Sequence, residues 1–207
     1  MNAILAQPDQ RSPEWFAARR GRITASRVGA VLGLSKYRTR ADVLRDMVRE
    51  WHGAAPEFIS NEATRWGEKH EADALAAYER QTGAMIETCG LVVHPHYDWI
   101  AVSPDGLVGH DGLVECKAPF RARYTEPSAE YVAQMQLQLE TTGRDWCDFA
   151  VWTPDRFSVT RILRDREWFA RVLPDLQAFI EFLGEECSDP ERSAPHLADK
   201  ERDDAEW

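Results

Sequence analysis

Two carboxylates and a lysine stand at a spacing that suits phosphodiester hydrolysis. Asp105 lies in Ser103-Pro104-Asp105-Gly106, and after nine intervening residues Glu115-Cys116-Lys117 follows. Asp and Glu offer hard oxygen donors of the kind that Mg2+ or Mn2+ prefers. A lysine beside such a metal can hold the attacking water and offset charge developing on the phosphate. Asp105 closes the apolar run Trp99-Ile100-Ala101-Val102, while Glu115 and Lys117 fall in a second run, Gly112–Lys117. Positions i and i+2 of a strand share a face, so Glu115 and Lys117 point the same way. If the two runs are neighbouring strands, Asp105 lies beside them. A charged hairpin with solvent-facing side chains would show the same triplet, so other features have to decide.

Three further groups could serve such a centre. Glu71 lies in Gly67-Glu68-Lys69-His70-Glu71, on a stretch patterned as a helix that could aim one more acid at the site. Two to three carboxylates around a divalent metal are common in phosphodiester hydrolysis; an exposed acid on an amphipathic helix fits Glu71 equally. Gln134, Gln136 and Gln138 sit at i, i+2 and i+4 of a second helical stretch, so they do not all share one face. An inward-facing Gln needs partners, and orienting Lys117 or the metal-site water would give Gln134 its own; a solvent-facing polar stripe remains open. Arg19 with Thr24 and Ser26 makes a plausible phosphate trap. The guanidinium supplies a planar fork, the hydroxyls donate, and a helix N-terminus adds N–H groups. Helix capping by Thr24 or Ser26 is the alternative.

The elements that must position these residues follow from local pattern. Ser12-Pro13-Glu14 starts a helix that ends near Gly21, and Arg27–Leu32 forms a short second one stopped by Gly33. Residues 41–52 carry an apolar stripe, then a loop with Gly53 and Pro56 leads to a long helix, Glu62–Gln81. The pattern next changes to short apolar runs: Met85–Glu87, Leu91–His94, Trp99–Ser103 and Leu113–Lys117 read as strands. Ser128–Thr142 is helical, Cys147–Thr153 and Phe157–Leu163 form a hairpin, and a last helix spans about Glu167–Glu185 with Pro174 inside. Helices, a mostly antiparallel sheet and helices again make an α+β layered domain. Residues 1–187 read as one domain and 188–207 as a polar acidic tail.

Composition narrows the chemistry. At 207 residues with 43% hydrophobic content the chain can bury a substantial core. It has no apolar run of the roughly 20 residues that cross a bilayer, so no membrane role is expected. Met1–Pro8 lacks the basic start of a secretion signal. Cys89, Cys116, Cys147 and Cys187 have no C-x-x-C spacing, which argues against zinc and iron–sulfur sites and for reduced thiols in a cytoplasm. The histidines form no metal pair, and neither a P-loop nor a serine or cysteine triad signature is present. The net charge of −10 hides polarity: residues 11–49 carry +7 and residues 181–207 carry −7. Such a chain can hold a phosphate backbone on one side and repel it elsewhere; solvated helix faces would give the same count.

Taken together and in order, the motifs resemble the phage lambda exonuclease family, the YqaJ-like viral recombinase nucleases of the PD-(D/E)xK superfamily. An aromatic-rich helix leads into Arg19-Arg20-Gly21-Arg22-Ile23-Thr24-Ala25-Ser26. Trp66-Gly67-Glu68-Lys69-His70-Glu71, Ser103-Pro104-Asp105-Gly106-Leu107, Leu113–Phe120 and Tyr131-Val132-Ala133-Gln134-Met135-Gln136 follow. The likeness covers roughly 13–143 and implies a restriction-endonuclease-like core, a mixed central sheet flanked by helices, after a helical N-terminal part. It implies Mg2+, with Mn2+ as substitute, held by Asp105, Glu115 and the backbone carbonyl of Cys116. Lys117 would activate water, Glu71 would support a second metal or its water, and Gln134 would orient the nucleophile or Lys117. Arg19, Ser26 and Thr24 would grip a 5′-phosphate; Lys36, Arg38 and Arg40 are weaker candidates for contact with duplex DNA. The implied activity is processive 5′→3′ digestion of double-stranded DNA ends, releasing 5′-mononucleotides and leaving a 3′ single strand for recombination. The implied partners are a single-strand annealing protein and copies of the chain in a trimeric ring. The implied setting is a bacterial host cytoplasm, with phage or prophage origin. Within the ring, the basic segment would line the channel and the acidic tail would lie outside. Another endonuclease of the superfamily, or a DNA-end-binding scaffold without catalysis, are the alternatives.

Overall fold

Capping signals set most helix ends. A computed structural model of the chain describes residues 12–54, 61–120 and 124–198; Arg11, Pro56, the Met1–Pro8 segment and residues 199–207 lie outside the described residues. Ser12 caps α1 (Pro13–Arg19), its hydroxyl accepting from the Trp15 N–H, with Pro13 in the first turn. The chain passes through β1 (Ile23–Thr24) into α2 (Ala25–Val31), then α3 (Arg40–Trp51), which opens on a capping box of Thr39 and Asp42. Asn61 caps the long α4 (Glu62–Thr82), and Gly83 ends it in the left-handed region. Five short strands follow: β2 (Ile86–Glu87), β3 (Val92–Val93), β4 (Ile100–Val102), β5 (Gly106–Val108) and β6 (Gly112–Lys117). Then come α5 (Ala129–Thr142), β7 (Trp146–Thr153), β8 (Arg156–Leu163), α6 (Trp168–Ser188) and α7 (Pro190–Leu197).

The strands form two sheets, ordered β1-β4-β3 and β2-β5-β6-β7-β8. The larger is mostly antiparallel, as the strand pattern suggested, with one parallel pair that makes it mixed: α5 carries the chain across, and β6 pairs with β7 in parallel from Gly112↔Trp146 to Lys117↔Val151. The fold is the α+β, restriction-endonuclease-like arrangement that the motifs implied. The run ending at Val102 and the run 112–117 are not neighbours. β4 belongs to the small sheet, and it is β5, a strand missed in the sequence, that pairs with β6 (Gly106↔Val114, Val108↔Gly112).

The large sheet is covered on both faces. Ala74 and Tyr78 of α4 pack on Val114, Cys116 and Ala150, while α5 and α6 pack Met135, Leu137, Leu176 and Phe179 over the face that carries Leu113, Phe149 and Val151. Burial on both faces explains why β6 and β7 read as continuous apolar runs. α4 is pinned by a buried polar knot: Tyr78 Oη donates to Asp148 Oδ2 at 2.7 Å, and Arg161 holds the same carboxylate at 2.8 and 2.9 Å.

The stretch expected to be a polar tail contains α7, which packs against α3 and α6. Its exposed C-terminal carbonyls are capped by two arginines of the basic segment. Arg45 donates to the carbonyls of Pro195 and Ala198, and Arg49 to those of His196 and Leu197. Two cations of the basic segment are therefore occupied at the end of a helix, through backbone carbonyls. Other cations of that segment are also engaged: Arg22 donates to the carbonyls of Ala18 and Asp98, Arg27 pairs with Glu50, Arg38 pairs with Asp46, and Arg40 lies over the Phe179 ring.

Candidate active site

Asp105, Glu115 and Lys117 converge where β5 leaves β6. The pleat of β6 puts Glu115 and Lys117 on its α5 face, as their spacing required, and Cys116 on the α4 face. Asp105 reaches the pair because β5 starts one residue later. Gly106 lies so close to Ile86 and Val114 that an added Cβ would come 2.2 and 3.1 Å from their side chains. Asp105 Oδ2 then accepts from the Cys116 backbone N–H at 2.7 Å, fixing the acid against the strand.

Glu115 is only 2% exposed, and a buried carboxylate must be neutralised or hydrogen-bonded. Its Oε1 accepts from Lys117 Nζ at 2.5 Å and from Gln134 Nε2 at 2.7 Å, and its Oε2 accepts from Gln138 Nε2 at 2.8 Å. Gln134 and Gln138 are one helical turn apart on α5 and share a face, as i and i+4 must. Gln136 points elsewhere: it donates to the Leu163 carbonyl and accepts from the Asp165 N–H. Sequence reasoning singled out Gln134 and passed over Gln138, although the same spacing rule pairs them.

The charges are crowded. Burial, and after it the Glu115 charge, push Asp105 well above the ordinary carboxylate range; Lys117 and the Cys116 N–H oppose, and Glu71 adds to the rise. Burial pulls the Lys117 ammonium down, but Glu115 and Asp105 more than reverse this and carry it above its ordinary value. Lys117 also sits 5.0 Å over the Tyr131 ring of α5. Glu71 is half-buried on α4, close enough for its charge to act on Asp105. Among the described residues no cluster of three metal-ligating side chains is compact enough to stand as a metal cage. The donor set nonetheless fits a divalent cation. Hard carboxylate oxygens lie together, and a cation would offset both the burial and the Glu115 repulsion that raise Asp105.

Arg19, Thr24 and Ser26 also come together. Arg19 Nη2 reaches Thr24 Oγ1 and Ser26 Oγ, each at 3.4 Å, and the two hydroxyls are 3.2 Å apart. Thr24 stands at the N-cap of α2 but makes no side-chain capping bond, so capping does not account for its hydroxyl. Arg19 lies 3.9 Å from the Trp15 ring centre. Burial, and then Arg27, pull its guanidinium down to about 10, with Glu50 opposing, so it stays charged at neutral pH. This trio adjoins the acids through two links. β1 runs parallel to β4 with Thr24↔Ala101, four residues before Asp105, and Trp15 Nε1 donates to Ser103 Oγ at 3.1 Å.

Residues 14–145 match the model of the YqaJ-like viral recombinase domain. The chain belongs to that family. Curated relatives include the uncharacterized protein R354 of Acanthamoeba polyphaga mimivirus, 29% identical over 167 residues, and the uncharacterized protein YqaJ of Bacillus subtilis (strain 168), 27% identical over 152 residues. The alignments take in 70% and 69% of this chain but 29% and 46% of those proteins, so the chain spans less than half their length. Among solved structures, the alkaline exonuclease LHK-Exo from Laribacter hongkongensis is 36% identical, with a TM-score of 0.76 over 90% of this chain and all of that one. The same enzyme in complex with dAMP gives a TM-score of 0.77. The YqaJ-like region is thus a nuclease domain with the alkaline exonuclease fold, and nucleases of this kind are metal-dependent. Among the described residues no helix is long and apolar enough to cross a membrane.

Proposed function

We propose that this chain is a Mg2+-dependent deoxyribonuclease that digests double-stranded DNA processively from 5′ ends, releasing 5′-mononucleotides and leaving a 3′ single strand for recombination. The observation that carries the reading is the meeting of Asp105, Glu115 and Lys117 beside the Arg19–Thr24–Ser26 trio, on the fold of an alkaline exonuclease. The likeness to an exonuclease solved with dAMP, a nucleoside monophosphate, supports mononucleotide release.

Asp105, Glu115 and the Cys116 carbonyl would hold the metal, with Glu71 supporting a second ion or its water. Bound there, Mg2+ or Mn2+ would polarise the scissile phosphate and lower the pKa of the attacking water. Lys117 holds that water and offsets charge on the phosphate as it builds. Gln134 and Gln138 keep Glu115 in one orientation while Lys117 does so. Arg19, with the hydroxyls of Thr24 and Ser26, binds the terminal 5′-phosphate and sets the first phosphodiester over the acids. Of the three weaker candidates for contact with duplex DNA, Lys36 is exposed, while Arg38 and Arg40 already have partners. A trimeric ring, a single-strand annealing partner and action in a bacterial cytoplasm during phage recombination complete the proposal on the strength of the family resemblance.

Linear duplex DNA labelled at the 5′ or the 3′ end, with Mg2+ or with EDTA, tests it. The expected result is Mg2+-dependent release of 5′-labelled mononucleotide while the 3′ label stays on a lengthening single strand. Internal cuts, or cutting of closed circles, would replace the exonuclease by an endonuclease; binding without cutting would leave a scaffold.

A further inference from the structure

Just beyond Lys117 the surface opens into a cleft of about 340 Å3 that none of the residues assigned above line. Trp66, Phe120, Tyr124, Val151, Thr153 and Arg156 form most of its wall. It adjoins the end of the strand that carries Lys117. Val151 is the register partner of Lys117, Pro119 and Phe120 follow Lys117 by two and three residues, and Gly67 of α4 would bring a Cβ within 3.9 Å of the Ala118 carbonyl. Trp66 and Phe120 set their ring centres 5.3 Å apart. Behind Trp66 the aromatic wall continues through His70 at 4.1 Å to Trp152, 5.4 Å further on, and His70 immediately precedes Glu71.

Such a wall is more than apolar packing. Trp66 Nε1 is buried and lacks a hydrogen-bond partner among the described residues, an unmet donor at the cleft wall. Arg156 adds a cation and Asp155 an acid at the rim. The volume lies near the lower end of small-ligand pockets, which run from about 300 to 1,000 Å3 and take a nucleotide but not a duplex. Aromatic faces hold unpaired bases of any sequence, at about 1–3 kcal/mol per base.

Along the chain, the links to the Arg19 trio come before Asp105 and the cleft residues after Lys117. A strand with its terminal phosphate at Arg19 and its first phosphodiester at the acids would carry its second nucleotide toward the cleft. We infer that this cleft binds, unpaired, the base on the 3′ side of the bond being cut, by stacking on Trp66 and Phe120. Holding that base out of the duplex would commit the next residue to the site after each cut. The inference rests on the exonuclease reading and names the substrate contact that reading lacks.

The test uses the whole chain and 5′-phosphorylated duplexes in which either the first or the second nucleotide is abasic. End affinity is measured in EDTA and cleavage in Mg2+. The wild-type chain should lose about tenfold in end affinity when the second base is missing, and little when the first is. Trp66→Ala should weaken binding of the intact duplex about tenfold and be indifferent to the missing second base, while Trp66→Phe should restore most of both. If Trp66→Ala fails to fold, Phe120→Ala carries the same comparison. Equal penalties for the missing second base in the wild type and the variant would overturn the inference, and so would no penalty in the wild type. A wild-type chain that cuts intact duplex from its 5′ end but ignores the missing base would sink the cleft alone. A chain that cuts no linear DNA would sink the exonuclease reading and the cleft with it.

Discussion

Gln138→Met separates a catalytic role from a structural one. Gln138 is fully buried, and its Nε2 gives Glu115 the bond on Oε2 at 2.8 Å. A hydrogen bond to a charged group contributes about 1.5–3 kcal/mol. The other end of the same amide works against the fold, because Gln138 Oε1 is buried with no partner among the described residues, at a cost of about 1–3 kcal/mol. Methionine is close in volume and removes both terms, but it leaves the buried Glu115 Oε2 without this donor, so folding free energy should still fall by about 1–3 kcal/mol. Catalysis has no such offset. Loss of a group that orients a metal-binding carboxylate typically lowers metal affinity or activity by about 10–100-fold. Urea unfolding and end-labelled cleavage across a Mg2+ titration should therefore diverge: a modest shift in midpoint, a 10–100-fold fall in rate at limiting Mg2+, and a raised half-saturating Mg2+ concentration. A wild-type rate and metal response would refute the orienting role. A stability loss above about 4 kcal/mol would refute the partial offset.

Three further perturbations probe the rest of the site. Lys117→Ala should fold and bind DNA ends while cleavage falls by at least about 10²-fold, as expected when a group that stabilises charge on the reacting phosphate is lost; unchanged cleavage would remove Lys117 from the mechanism. Arg19→Lys keeps the charge but loses the planar fork that spans Thr24 and Ser26, so the rate advantage of 5′-phosphorylated over 5′-hydroxyl ends should shrink about tenfold, read by competing the two substrates. Gly106→Ala drives a methyl toward Ile86 and Val114; overpacking of this kind costs about 1–3 kcal/mol, and because Asp105 is the adjacent residue, activity should fall further than the thermal midpoint suggests.

How much of this was legible depended on whether a signal was local. The alternation of β6 gave the shared face of Glu115 and Lys117; helical spacing separated Gln136 from Gln134 and Gln138 but left open which of them turned inward. The arrival of Asp105 was not legible, because β5 has three residues and β1 only two, too short for a periodicity to register. Linking the Trp99–Val102 run directly to β6 was the natural reading, and it failed because pairing partners are chosen by tertiary packing. Charge counting failed similarly. The +7 of residues 11–49 suggested a face open to phosphate, yet Arg45 and Arg49 cap α7, while Arg27 and Arg38 face acids of α3. A composition cannot say which cations are already engaged.

The deeper link between fold and site lies in the crossover. A carboxylate buried as fully as Glu115 is stable only with donors on both oxygens. One donor, Lys117, comes from two residues along the same strand, and both others come from α5, the helix that carries the chain from β6 to the parallel β7. The segment that topology demands for a parallel return is therefore also the segment that makes the buried acid tolerable. Moving α5 by one residue would swing Gln134 and Gln138 about 100° away from Glu115 and bring Ala133 or Met135 in their place. The close contact of α2 with α5 resists such a slip: a Cβ on Gly29 would meet the Glu130 backbone at 3.0 Å, so that pairing holds only in its present register. Site geometry and helix packing are here set by the same contacts, which predicts that substitutions at Gly29, far along the chain from the acids, will cost activity through Glu115.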